Sequence, residues 1–210
     1  SDVYKRQVQQ TEPRPREMPL YAHSTSYRDW VQAWTLWLIR SSRPGDAASL
    51  FHIFTSVVRD HDVGIAQYLL PHLVLHILIS GSSQQRRTVL GESLAVLADQ
   101  AHPALGYEPE RRRLTAQTLF HVLDHVGHWM RRMRLVPLRM ARRSRWRDAL
   151  SDVQAIMDEL SPDLLAQASL QCDAYARALL HFEYRIRAMR PQPSETLQPY
   201  YETMHEIYAS

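Results

Sequence analysis

Apolar positions along this chain recur at three- and four-residue spacing, and no stretch alternates convincingly with a period of two. That pattern predicts helices and no sheet. After Ser24-Thr25-Ser26, a cluster suited to capping, Tyr27, Trp30, Val31, Trp34, Trp37 and Leu38 form one broad stripe. Pro44-Gly45 closes that helix and Asp46 caps the next, whose apolar side is Leu50, Phe51, Phe54, Val57 and Val58. Asp62 opens a third helix whose second half is apolar nearly all round, as in a central helix. Pro71 inside it predicts a kink, because proline removes one backbone bond and crowds the preceding turn.

Ser80-Gly81-Ser82-Ser83 reads as a short turn, and Val89, Leu90, Leu94, Leu97 and Ala98 as the stripe of a fourth helix. Leu114, Leu119, Phe120, Leu123, Val126, Met130 and Met133 mark a long fifth helix that Pro137 stops. Helix resumes from Trp146 to Leu160. Ser161-Pro162-Asp163 then restarts it, and the pattern continues from Leu164 to about Met189. Pro191 and Pro193 end that stretch, and a last helix carries Tyr200, Tyr201, Met204, Ile207 and Tyr208. Residues 8–24, with Pro13, Pro15 and Pro19 among charges, read as extended leader. The expected organisation is a non-native or disordered leader over 1–24, helical repeats over 25–134, an arginine-rich loop over 135–144, and helical repeats over 145–210 that continue past the C-terminus.

Composition narrows the class. At 210 residues, with 45% apolar and 22% charged, the chain buries a real core, which excludes disorder throughout. Its lone cysteine, Cys172, rules out an internal disulfide and fits a reducing, intracellular compartment. The most apolar run, Tyr68 to Ile79, is shorter than the roughly 20 residues a bilayer span needs, and carries Pro71, His72 and His76. Lys5 is the single lysine against 24 arginines, so the opening Ser1–Gln7 looks foreign and resembles a translated sequencing-adapter scar.

Candidate chemistry is sparse. His121, His125 and His128, with Asp124, have the spacing of a metal set on one helix side, yet they run into Arg132 and read as a solvated face. His72 and His76 read as satisfied core histidines. Cys172 lies in a helical pattern without an obvious base. The acids read as scattered helix-face residues, and glycine-rich phosphate loops are missing. Arg131 to Arg147 holds eight arginines, and Arg139, Arg142, Arg143, Arg145 and Arg147 are the candidate interaction surface. With only Trp146 nearby to stack on bases, direct nucleic-acid binding is not expected.

Several phrases together carry a resemblance. They are Tyr68-Leu69-Leu70-Pro71-His72, Thr115-Ala116-Gln117-Thr118-Leu119-Phe120, Leu123-Asp124-His125 with Trp129, Ala174-Tyr175-Ala176-Arg177-Ala178 with His181-Phe182-Glu183, and Met204-His205-Glu206. In this order and spacing, residues 27 to 210 resemble the start of the FAT region of ATR-type phosphatidylinositol-kinase-related serine/threonine kinases. Leu164 to Glu183 also resembles a tetratricopeptide helix pair. The resemblance implies an all-α solenoid of antiparallel helix pairs, in a nuclear DNA-damage checkpoint kinase. It implies a scaffold role beside the kinase domain, with an ATRIP-like partner and homodimer contacts. ATP and magnesium belong to the kinase domain, outside this segment, so no catalytic, cofactor or metal residue is carried over. The other reading is a stand-alone helical adaptor that binds protein or nucleic acid through the arginine-rich loop.

Overall fold

The computed structural model describes residues 17–60, 63–103, 106–136, 146–189 and 194–209, and every element among them is helical. In chain order these are α1 (Leu20–His23), α2 (Tyr27–Ser41), α3 (Asp46–Ile53), α4 (Thr55–Asp60), α5 (Val63–Ser80), α6 (Ser83–Ala101), α7 (Pro109–Arg134), α8 (Trp146–Asp158), α9 (Pro162–Leu170), α10 (Tyr175–Met189) and α11 (Ser194–Ala209).

The core forms around α5. Its Leu69, Leu70, Leu73, Val74, Ile77 and Leu78 are all buried, and α2, α6, α7 and α8 pack around it. This is the one described helix long and apolar enough to cross a membrane by length and composition, and here it is the centre of the protein. It runs unbroken through the buried Pro71. Trp30, Trp34 and Leu38 bring the α2 stripe fully into the same core. Burying large apolar side chains contributes roughly 2 kcal/mol each, which is why the strongest stripes decide the packing.

The turn between α5 and α6 is built from local chemistry. The Gly81 N–H donates to the Ile77 carbonyl at 2.8 Å, and a Cβ on Gly81 would lie only 2.4 Å from that oxygen. Ser82 and Gln85 then cap α6 reciprocally, side chain to backbone in both directions.

Three expectations are corrected. Residues 17–24 are not leader: Leu20 and Tyr21 are buried in the main core, and α1 packs on α2 and α6. The second predicted helix breaks at Phe54 into α3 and α4, and Leu50 and Val57 of its stripe face outward while Val58 is buried. In α6, Ala98 is exposed, whereas Glu92, Ser93, Asp99 and Gln100 are buried. The helix pair that Leu164 to Glu183 resembles is present as α9 and α10, with Asp173 at a left-handed φ of 57° turning the chain between them. The Asp62 cap lies outside the described residues, as does most of the 135–144 loop.

α9 serves two cores. Leu165 and Ala168, with Cys172 of the turn that follows, join the main one, while Ala166 meets Ala178, Phe182 and Ile207 of α10 and α11 in a second, smaller cluster. α9 packs on α6 on one side and on α10 on the other, and so links the two clusters.

Candidate functional site

Of the candidate arginines, Arg139, Arg142, Arg143 and Arg145 lie outside the described residues, and Arg147 is exposed in the first turn of α8. Arg134, at the end of α7, is hydrogen-bonded to Gln154 of α8. The arginine surface is therefore placed only at its two ends.

The histidines divide differently from the sequence expectation. His72 is exposed rather than buried, and its ring meets His125 edge-on across the α5–α7 seam, with ring centres 4.6 Å apart. His76 is half-buried beside Phe51, and burial lowers its pKa. His121 and His128 are exposed. Burial first, then the neighbouring His72, His121 and His128, hold His125 below the ordinary imidazole range. Proton uptake at His125 is therefore disfavoured, since its charge would be poorly solvated and would face the neighbouring rings.

Asp124, on the same stretch of α7, is taken by Arg177 of α10, which donates to both carboxylate oxygens at 2.8 and 2.5 Å. His181, one turn further along α10, is pushed down to about 4 by burial, with Arg177 adding to the effect. Burial also pushes the Cys172 thiol up to about 11, helped by Asp173, so it stays protonated and a poor nucleophile.

The strongest polar arrangement is one the sequence does not display. Glu92 of α6 is 0% exposed, and it accepts the backbone N–H of Leu20 at 2.6 Å, that of Tyr21 at 2.8 Å and the indole N–H of Trp30 at 2.7 Å. The Tyr21 hydroxyl donates to Asp99 at 2.6 Å, and Arg111 donates to the Tyr21 carbonyl at 2.9 Å. The Arg111 guanidinium also lies 3.4 Å from the centre of the Tyr107 ring and 5.0 Å from that of Tyr21. Burial raises the Glu92 pKa against the pull of its three donors, and burial together with Asp99 raises the Tyr21 phenol. Only the spacing of Glu92 and Asp99 beside the buried Val96 and Leu97 hints at this in the sequence, and a helix-face reading assigns both acids to solvent.

Two hollows accompany these groups. One, of about 480 Å³, is lined by Glu17, His23, Thr25 and Asp29, and one of about 250 Å³ by Gln100, Pro103, Pro109, Glu110, Arg112, Arg113 and Gln171. Neither lining brings a nucleophile to a base. Among the described residues, no group of three or more histidine, cysteine or acidic side chains is placed to hold a metal ion.

Comparison with known proteins decides the family. A family model described as the M-HEAT region of serine/threonine-protein kinase ATR matches residues 14–210. The chain belongs to the ATR M-HEAT family. Protein kinase rad3 of Schizosaccharomyces pombe is 26% identical over 206 residues, covering 91% of this chain and 9% of its own length. Serine/threonine-protein kinase ATR of Oryza sativa subsp. indica is 28% identical over 195 residues, covering 80% of this chain and 7% of its own. Serine/threonine-protein kinase MEC1 of Eremothecium gossypii is 20% identical over 203 residues, covering 91% and 9%. This M-HEAT segment thus spans less than a tenth of the curated relatives it matches. No solved structure matches it. The kinase family is the one the sequence phrases resemble; its M-HEAT region takes the place of the FAT region, and the α-solenoid is of the HEAT type.

Proposed function

We propose that this segment is a non-catalytic scaffold of an ATR-like checkpoint kinase, one that supports the kinase domain and the assembly of the complex. The observation that carries the reading is the family match joined to described elements that are all helical, the last two of which keep an apolar surface. Leu180 and Tyr184 of α10, with Tyr201 and Tyr208 of α11, stand exposed beside the small cluster of Ala178, Phe182 and Ile207. In a solenoid each repeat buries its face against the next, so this surface suits further helices of the same kinase. On this reading ATP and magnesium bind elsewhere in the protein. An ATRIP-like partner and a second kinase chain are the assembly partners, and the compartment is the nucleus.

The test is made in the full-length kinase that contains this segment. A Y201S/Y208S double substitution should lower the kinase's thermal midpoint and raise hydrogen exchange in the helices next in sequence. A matched pair at exposed polar positions, Gln198→Ala with Glu202→Ala, should leave both unchanged. Equal behaviour of the two doubles would remove the scaffold reading of this surface.

A further inference from the structure

Leu20-Tyr21-Ala22 is held the way a receptor holds a bound peptide. Its two leading N–H groups go to one carboxylate, Glu92; the Tyr21 carbonyl goes to Arg111, and the Ala22 carbonyl accepts from the Tyr107 hydroxyl at 2.8 Å. The tyrosine ring is fully buried between Trp30 and Tyr107, both edge-on, and its hydroxyl ends on Asp99. Four of the six main-chain polar groups over these three residues are thus read by side chains from more than 60 positions away in the sequence, while the Leu20 carbonyl accepts from the nearby Ser24 hydroxyl and the Tyr21 carbonyl also from the Ser24 N–H. A four-residue helix has almost no stability of its own. What orders it is the groove.

We propose that this groove is a peptide-recognition site for a leucine–tyrosine segment, occupied here by the chain's own residues and open to the same motif on another polypeptide when α1 is displaced. The chemistry selects such a ligand closely. Two consecutive free N–H groups are needed for Glu92, which excludes proline at either motif position. A phenol is needed for Asp99, and a ring able to lie beside Arg111. Phosphate on the tyrosine would face Asp99 and is excluded. Covalent attachment supplies the cis segment at an effective concentration in the millimolar range for a short connection, so a competitor acts only once α1 is drawn away or is itself in excess. The junction is Ser24-Thr25-Ser26, of which Thr25 and Ser26 are exposed. This inference stands apart from the scaffold reading, since it concerns the opposite end of the described chain.

The test uses the full chain with a protease recognition sequence in place of Thr25, cut after folding. Cut protein is equilibrated for days with excess fluorescent peptide of the sequence Glu-Met-Pro-Leu-Tyr-Ala-His-Ser-Thr-Ser. Saturable incorporation is expected, with circular dichroism unchanged by cutting. A peptide with Tyr21→Phe, which keeps the ring and loses the bond to Asp99, should bind about tenfold more weakly. A Tyr21→Ala peptide should not saturate. Three results would overturn the proposal: no incorporation into folded cut protein, unfolding of the body on cutting, or equal binding of the wild-type and Tyr21→Ala peptides.

Discussion

Arg177 reaches from α10 to grip Asp124 of α7 through both guanidinium ends, at 2.8 and 2.5 Å, while its carbon lies 4.8 Å from the centre of the Phe120 ring. The contact ties the smaller apolar cluster to the larger one, near the face where the α7 histidines are exposed. Both partners keep some water, so the ion pair contributes little by itself, and the aromatic contact adds to it. R177Q should cost about 1 kcal/mol in urea denaturation, D124N somewhat less, and the double mutant less than their sum. Strict additivity would mean the pair is a surface coincidence.

Glu92 carries a larger share. Replacing it with alanine leaves two backbone N–H groups and one indole N–H buried without an acceptor, and opens a cavity. E92A should cost about 3–5 kcal/mol, and E92Q, which keeps the shape and one acceptor oxygen, clearly less. Denaturant midpoints at matched m-values check this. A loss under 1 kcal/mol for E92A would show that α1 is not anchored through this carboxylate.

Acid should act through His181. Its pKa is about 4 in the folded chain and about 6.5 when unfolded, so between those values the unfolded chain binds more protons. Stability from this group is complete above pH 6.5 and falls as pH drops toward 4, by about 2 kcal/mol after allowing for solvent screening. Glu92, raised by burial, tilts the curve the other way, so the His181 contribution is read as a difference from H181Q. The two proteins should diverge on going from pH 4 to pH 7; parallel curves would contradict the assignment.

Two leucines give a direct check on the packing. Leu73 of α5 is fully buried, whereas Leu50 of α3 is 56% exposed. Leu73→Ala should cost about 3 kcal/mol and Leu50→Ala less than 0.5 kcal/mol. The apolar pattern of the sequence, a stripe for Leu50 and a continuous run for Leu73, assigns both to the core, so comparable losses would favour that pattern over the structure.

The features that sequence periodicity captures are those in which local spacing and burial agree. Trp30, Trp34 and Leu38 recur on one face of α2 and are buried on it. The restart at Ser161-Pro162-Asp163 places proline at the first position of α9, as helix-start chemistry requires. α1 escapes because four residues make no period, and the group that orders them, Glu92, is 72 positions from Leu20. Periodicity alone runs through the α9–α10 turn, because Asp173 takes a left-handed conformation with neither glycine nor proline to announce it, and only the resemblance to a helix pair points to it. The same applies to the polar groups: His72 lies on an apolar run and reads as core, yet its ring faces His125 at the seam. Family phrases succeed where periodicity stops, because Asp124 and Arg177 fall in two of them and meet in space.

Two apolar clusters arranged in series also have a mechanical meaning. The first, from α1 to α9, is knit around α5 through many helix neighbours. The second rests on four buried side chains and is joined to the first through α9 and the Arg177–Asp124 grip. A load applied along the chain therefore does not strain it evenly. The first block is braced on more sides, and the give is concentrated at α11, whose main helix neighbour is α10.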